Sequence, residues 1–213
     1  MNTPYLVWTR MKPVVAPPAR QQRLRTAGLT VREREVARYV ASGLSDEEIA
    51  QLLVINVGTV STHLYNASRK LKAATRSQLG MWALCAGLIT SDEVLAFWHE
   101  HRPEILGPGT VTPLAWMKMR VASLSSRERD AVKYAACGLK NAEIAQVMRI
   151  KAPGVRFLLY SAFDRLGVAS RSQLAGLTIL TDMLTHSDVL AVWCKHKPEM
   201  FGHDWSDHVL HSQ

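Results

Sequence analysis

The sequence predicts an all-α fold built as two tandem bundles of four to five helices, each holding a helix-turn-helix. Three observations carry that expectation. Residues 29–107 return as residues 124–202, and 32 of the 79 aligned positions are identical without a gap. A repeat this long is one structural unit used twice. Each copy is punctuated by Ser/Thr-x-x-Glu signals, in which a hydroxyl and a carboxylate satisfy free N–H groups at a helix start. Apolar residues then recur at spacings of three and four, and nothing reads as a convincing strand.

The repeated landmarks fall at regular places. Arg32-Glu33-Arg34 matches Arg127-Glu128-Arg129, Glu48-Ile49-Ala50-Gln51 matches Glu143-Ile144-Ala145-Gln146, and Arg76-Ser77-Gln78-Leu79 matches Arg171-Ser172-Gln173-Leu174. Thr30-x-x-Glu33 and Ser125-x-x-Glu128 start the first helix of each copy. It ends at Ser42-Gly43 in the first, because glycine tolerates the left-handed C-cap. Ser45-x-x-Glu48 starts the second helix, and Asn141 is expected to start its counterpart. Val54-Ile55-Asn56 leaves room only for a sharp turn before a third helix from Val57. That helix carries Val60, Leu64, Ala67 and Leu71 on one face. A fourth helix is expected from about Arg76 to Leu88. Thr90-x-x-Glu93 and Thr185-x-x-Asp188 start a fifth, which carries Trp98 or Trp193. Core packing is the expected role of both tryptophans, with a partner surface as the alternative.

The remaining segments read differently. Residues 1–28 form a proline-containing arm with Arg10, Lys12, Arg20, Arg23 and Arg25 and no acid before Glu33. Such an arm can lie along phosphates or in a minor groove, or serve no fixed role. Residues 108–123 read as a linker, marked by Gly107-Pro108-Gly109 and Pro113. Trp8-Thr9-Arg10-Met11-Lys12 is echoed by Trp116-Met117-Lys118-Met119-Arg120 ahead of the second copy, as a short extended or helical piece. Residues 203–213 form a tail.

Composition narrows the function. The net charge of +8 favours a polyanionic partner. Three cysteines, Cys85, Cys137 and Cys194, supply no disulfide framework and suit a reducing cytoplasm. No apolar run reaches bilayer length and no signal-peptide layout opens the chain, so a cytoplasmic protein with no membrane partner is expected. His99, His101, Cys194, His196, His203, His208 and His211 do not have zinc-finger spacing, and neither metal nor cofactor is expected. No Gly-rich phosphate loop or nucleophile elbow appears, and capping accounts for Glu33, Glu48, Glu128 and Glu143, so no enzyme is read.

Helix-turn-helix spacing places the third helix in a major groove, its N-terminal residues near base edges. The outward face of the first copy offers Thr59, Ser61, Thr62, His63, Tyr65, Asn66, Arg69 and Lys70.

Each copy resembles the LuxR/GerE-type DNA-binding domain of bacterial regulators. The matching residues are Leu29-Thr30-x-Arg32-Glu33-x-Glu35-Val36, Gly43-Leu44-Ser45, Glu48-Ile49-Ala50, Thr59-Val60-x-Thr62-His63 and Lys70-Leu71. In the second copy they are Leu124-Ser125-x-Arg127-Glu128, Gly138-Leu139-x-Asn141, Glu143-Ile144-Ala145, Gly154-Val155-Arg156-Phe157 and Arg165-Leu166-Gly167-Val168. The resemblance implies a four-helix bundle whose fourth helix makes a dimer contact, around Leu79, Trp82, Ala83 and Ala86 and around Leu174, Leu177 and Leu180. It implies that Ser61, Thr62 and Tyr65, and Arg156, Phe157 and Tyr160, lie closest to bases. Phe157 has two open readings, a thymine methyl contact or packing on a neighbouring helix. Lys70, Arg76, Lys151, Arg165 and Arg171 are candidate phosphate contacts. The family commonly has a cation where this chain has Ser61; the second copy keeps one as Arg156 but has Leu158 in place of His63 and Asp164 in place of Arg69.

The expected function is a sequence-specific transcriptional regulator that reads double-stranded DNA through both units. A homodimer through the fourth or fifth helices is a further expectation, as is contact with RNA polymerase or another regulator. The alternative is a co-regulator or anti-activator that uses the fold to bind another transcription factor or RNA polymerase. No receiver or autoinducer-binding domain is read, so direct control by phosphorylation or a small molecule is not expected.

Overall fold

The structure, a computed structural model, describes residues 28–201. The arm up to residue 27, with its Trp8–Lys12 echo, and the tail from residue 203 lie outside the described residues. Among those described there are twelve α-helices and no strand. The first copy comprises α1 (Val31–Ala41), α2 (Asp46–Leu53), α3 (Val57–Leu71), α4 (Arg76–Cys85), α5 (Ser91–His101) and the single turn α6 (Pro103–Leu106). After α7 (Pro113–Ala122) the second copy repeats the order as α8 (Ser126–Ala136), α9 (Asn141–Met148), α10 (Ala152–Leu166), α11 (Arg171–Leu180) and α12 (His186–His196). A 3-10 turn at Pro198–Met200 stands where α6 stood.

The caps follow the sequence closely. Reciprocal capping boxes join Thr30 to Glu33, Ser45 to Glu48 and Thr90 to Glu93 in the first copy. In the second they join Ser125 to Glu128 and Thr185 to Asp188. Three boundaries differ. Lys140, not Asn141, is the N-cap of α9. The Asn141 side chain instead accepts a bond from Arg171. Helix α4 stops at Cys85, short of Leu88: Gly87 takes a left-handed φ of 68° and Leu88 N–H turns back to the Ala83 carbonyl at 2.8 Å. The stretch read as a linker contains α7. Thr112 caps it and Pro113 occupies its first turn, where a missing N–H costs nothing. Met117 on α7 is fully buried, Arg120 donates to the Leu166 carbonyl at 3.0 Å, and Trp116 lies over Gly107, so this helix packs on both α10 and α6.

The two bundles share one core. Helix α4 packs on α11, and α11 also meets α1 and α5. On this seam Leu79, Met81, Trp82, Ala83, Leu174 and Leu177 are all buried. The glycine that ends α1 and its copy that ends α8 are part of it. Gly43, at φ 84°, lies under the Gln173 side chain, and Gly138, at φ 81°, under Gln78. A Cβ would fall 2.2 Å and 2.3 Å from the respective glutamine Cγ atoms, so each glycine serves its own C-cap and the close approach of the other copy. Thr75 adds a hydrogen bond to the Gly138 carbonyl at 3.2 Å.

Trp98 and Trp193 are core residues, both fully buried. The Trp98 indole N–H donates to the Ser42 carbonyl at 2.9 Å and that of Trp193 to the Cys137 carbonyl at 2.8 Å. Each ring then reaches across the seam. Trp98 packs against Gly176, whereas Trp193 stacks on Trp82 at 5.6 Å between ring centroids. The fourth-helix surfaces expected to join two chains, Leu79–Trp82 and Leu174–Leu177, are instead buried at the seam where α4 meets α11 within a single chain.

Candidate nucleic-acid interface

Each helix-turn-helix is made by the same local device. Helix α2 ends when Val54 turns left-handed (φ 52°), and Ile55 N–H bonds back to the Ala50 carbonyl at 3.0 Å. Asn56 then caps α3 by accepting from Gly58 N–H at 2.8 Å. In the second copy Arg149 takes the left-handed position (φ 54°), Ile150 N–H bonds to Ala145, and Lys151 precedes α10. The inward stripes are equivalent: Val60, Ala67 and Leu71 in α3, and Val155, Leu159, Ala162 and Leu166 in α10, are buried. They fix which face looks outward.

In the first copy Thr59, Ser61, Thr62, Tyr65, Arg69 and Lys70 are exposed, and His63 and Asn66 are half-buried. Several are already engaged. The Ser61 hydroxyl lies 3.2 Å from both Asp46 Oδ2 and the Val57 carbonyl, and Thr62 donates to the Gly58 carbonyl at 2.9 Å. Lys70 is held by both oxygens of Glu33 at 2.9 and 2.7 Å. Burial pushes the Glu33 carboxyl up, but Lys70 and the Thr30 N–H outweigh it and hold it below the usual range.

In the second copy Lys151, Arg156, Phe157 and Tyr160 project outward, and Phe157 is 72% and Tyr160 79% exposed. No neighbouring helix claims Phe157. Arg165 donates to the Ser123 carbonyl at 2.8 Å and stands 3.6 Å from Glu128. Arg76 and Arg171 face the fold. Arg76 donates to the Leu44 carbonyl at 2.6 Å and pairs with Asp46; Arg171 donates to the Leu139 carbonyl at 2.6 Å and to Asn141. Each fastens the start of a helix-turn-helix to the following helix. Two exposed cations that sequence reasoning passed over, Lys140 and Arg149, join Lys151 and Arg156 on the second unit. Their signal was available: they replace Ser45 and Val54 of the first copy.

The family of bacterial regulatory proteins designated luxR matches this chain twice, at residues 27–83 and 122–178. The chain belongs to the LuxR family. Both matches run into the fourth helix of a bundle, so they contain the helix-turn-helix and most of α4 and α11 but not Trp98 or Trp193. The CsgBAC operon transcriptional regulatory protein of Escherichia coli is 43% identical over 58 residues, 27% of this chain and 27% of that protein. The transcriptional regulatory protein FixJ of Azorhizobium caulinodans is 39% identical over 69 residues, 32% of this chain and 33% of its own. The regulatory protein SdiA of E. coli is 38% identical over 58 residues, 27% of this chain and 24% of its own. The similarity thus spans about a quarter to a third of these relatives. No solved structure matches. Among the described residues no helix is long and apolar enough to cross a membrane.

Proposed function

We propose that this LuxR-family chain is a DNA-binding transcriptional regulator that engages one DNA site with two helix-turn-helix units fixed in a single body. The observation that carries this reading is the seam between α4 and α11. It joins two units that would otherwise need two chains, and removes the cost of bringing them together. The cations Lys140 and Arg149 that flank α9, with Lys151 and Arg156 at the start of α10, supply the electrostatic attraction to phosphate, and Arg156, Phe157 and Tyr160 reach out from the part of α10 that would enter the groove. The test is selection of binding sites from genomic fragments by the full chain, followed by a salt titration and a measurement of stoichiometry. The reading expects a sequence-specific complex of one chain per site that weakens steeply with salt. No complex at low salt would sink it and favour the second reading, a co-regulator that binds another transcription factor. The neutralised Ser61–Asp46 corner of the first unit is the observation on that side.

A further inference from the structure

We infer that the two units divide the work: the second makes the base and phosphate contacts, and the first braces it without reading sequence. This rests on the proposal that the chain binds DNA, and assigns the contacts within that site.

The matched segments have opposite charge. Residues 45–71 hold Asp46, Glu47 and Glu48 against Arg69 and Lys70, net −1. Residues 140–166 hold Lys140, Arg149, Lys151, Arg156 and Arg165 against Glu143 and Asp164, net +3. Ion pairs hold charges of both signs in the first segment: Asp46 with Arg76 and Glu48 with Arg102. Lys70 is neutralised by Glu33. Among the described residues, no hydrogen bond or ion pair holds the side chains of Arg149, Lys151 or Arg156.

Position matters as much as sign. Ser61 occupies the place of Arg156, one turn into the helix, where base edges are read. Its hydroxyl is engaged by Asp46, whose carboxylate pairs with Arg76 beside the end of α3 that would enter the groove. In the second unit the neutral Asn141 holds the matching place and makes the matching contact with Arg171. A short hydroxyl held by a carboxylate cannot make the bidentate guanine contact open to arginine. The turn repeats the pattern: exposed Val54 stands where the second unit has Arg149.

The test uses the full chain and randomised duplex DNA. Wild type should select one half-site with strong base preference, flanked on the first unit's side by sequence of no preference. Arg156→Ala should weaken binding to that half-site by roughly tenfold or more and flatten its base preference. Asp46→Asn combined with Ser61→Arg should add a reading head, so that selection returns two half-sites and binding to the paired site tightens about tenfold or more. Both changes lie on exposed or half-exposed positions, and thermal melting checks that the fold persists. If wild type selects two half-sites of equal base preference, the division of work is overturned while DNA binding stands. If wild type selects no sequence at any salt concentration, DNA binding itself fails and this inference with it.

Discussion

The two copies use one plan with different surfaces. Along α3 and α10 the inward residues are shared: Val60 and Val155, Leu64 and Leu159, Ala67 and Ala162, Leu71 and Leu166. On the outward face Tyr65 and Tyr160 agree, while positions 57–59, 61–63, 66 and 68–70 all differ from their counterparts. What the copies share is therefore what a packed bundle demands, and what separates them is what a partner would meet. The seam is unequal as well. The first copy brings Met81 and Trp82 to it, the second Gly176 and Leu177. Trp98 uses the space above Gly176, and Trp193 lies on Trp82. A seam built from two first copies would set Trp98 against Met81, which has no such space. The asymmetry favours pairing a first copy with a second copy over pairing two first copies.

The largest expected effect tests that seam. Trp98→Ala should cost about 3–5 kcal/mol, since it empties a fully buried site and leaves the Ser42 carbonyl without its donor. Urea denaturation of the full chain measures it. A loss under 1 kcal/mol would show that the tryptophan does not hold the copies together. Gly138→Ala should cost about 2–3 kcal/mol, because the new Cβ meets Gln78 and Thr75 and φ stays positive. It should also raise the reactivity of Cys85 and Cys137 toward a thiol reagent. Both are buried in the native protein, and burial pushes the Cys85 thiol up to about 12. Unchanged reactivity would separate the thiols from the seam.

A smaller effect separates the copies again. Lys70→Ala should cost about 1 kcal/mol of stability, because it strips the partner from a nearly buried Glu33 while the lysine itself is one-third exposed. Arg165→Ala should cost less, since Arg165 stands 3.6 Å from Glu128, which Ser161 also serves at 2.6 Å. Equal melting temperatures for the two variants would contradict this ranking.

The smallest difference between copies is expected in acid. Burial raises the carboxyls of Glu33, Glu48, Glu128 and Glu143, yet their cationic, hydroxyl and N–H partners hold each below the ordinary 4.5. The unfolded chain then binds more protons than the folded one, so stability is full above that value and falls as pH drops through the lower folded values. The four groups form two matched pairs, so melting below pH 4.5 should remain one transition. Two separate acid transitions would show that the copies unfold independently.

Much of the fold was legible because its signals are local. Thr30 and Glu33, or Ser125 and Glu128, lie three residues apart, and a capping box needs nothing else. The site was less legible. Lys70, Arg76 and Arg171 have the composition of phosphate contacts. Their acceptors, Glu33, Asp46 with the Leu44 carbonyl, and Asn141 with the Leu139 carbonyl, lie 30 to 37 positions away in the chain. Sequence spacing cannot distinguish a cation facing water from one that meets such an acceptor. In the linker Pro113 reads as a breaker, and only its place in a first turn makes the short extended or helical piece around Trp116 a ten-residue helix.

By itself, then, the sequence determined most helices and their capping boxes, which depend on neighbours within a turn or two, and by comparison of its two copies the doubled unit and the exchange of Ser61 for Arg156. Only the tertiary structure decided that the fourth helices meet each other rather than another chain, and which cations are already held. Those outcomes depend on the shapes of Gly43, Gly138, Gly176, Trp82, Trp98 and Trp193 at one seam, brought together from distant parts of the chain.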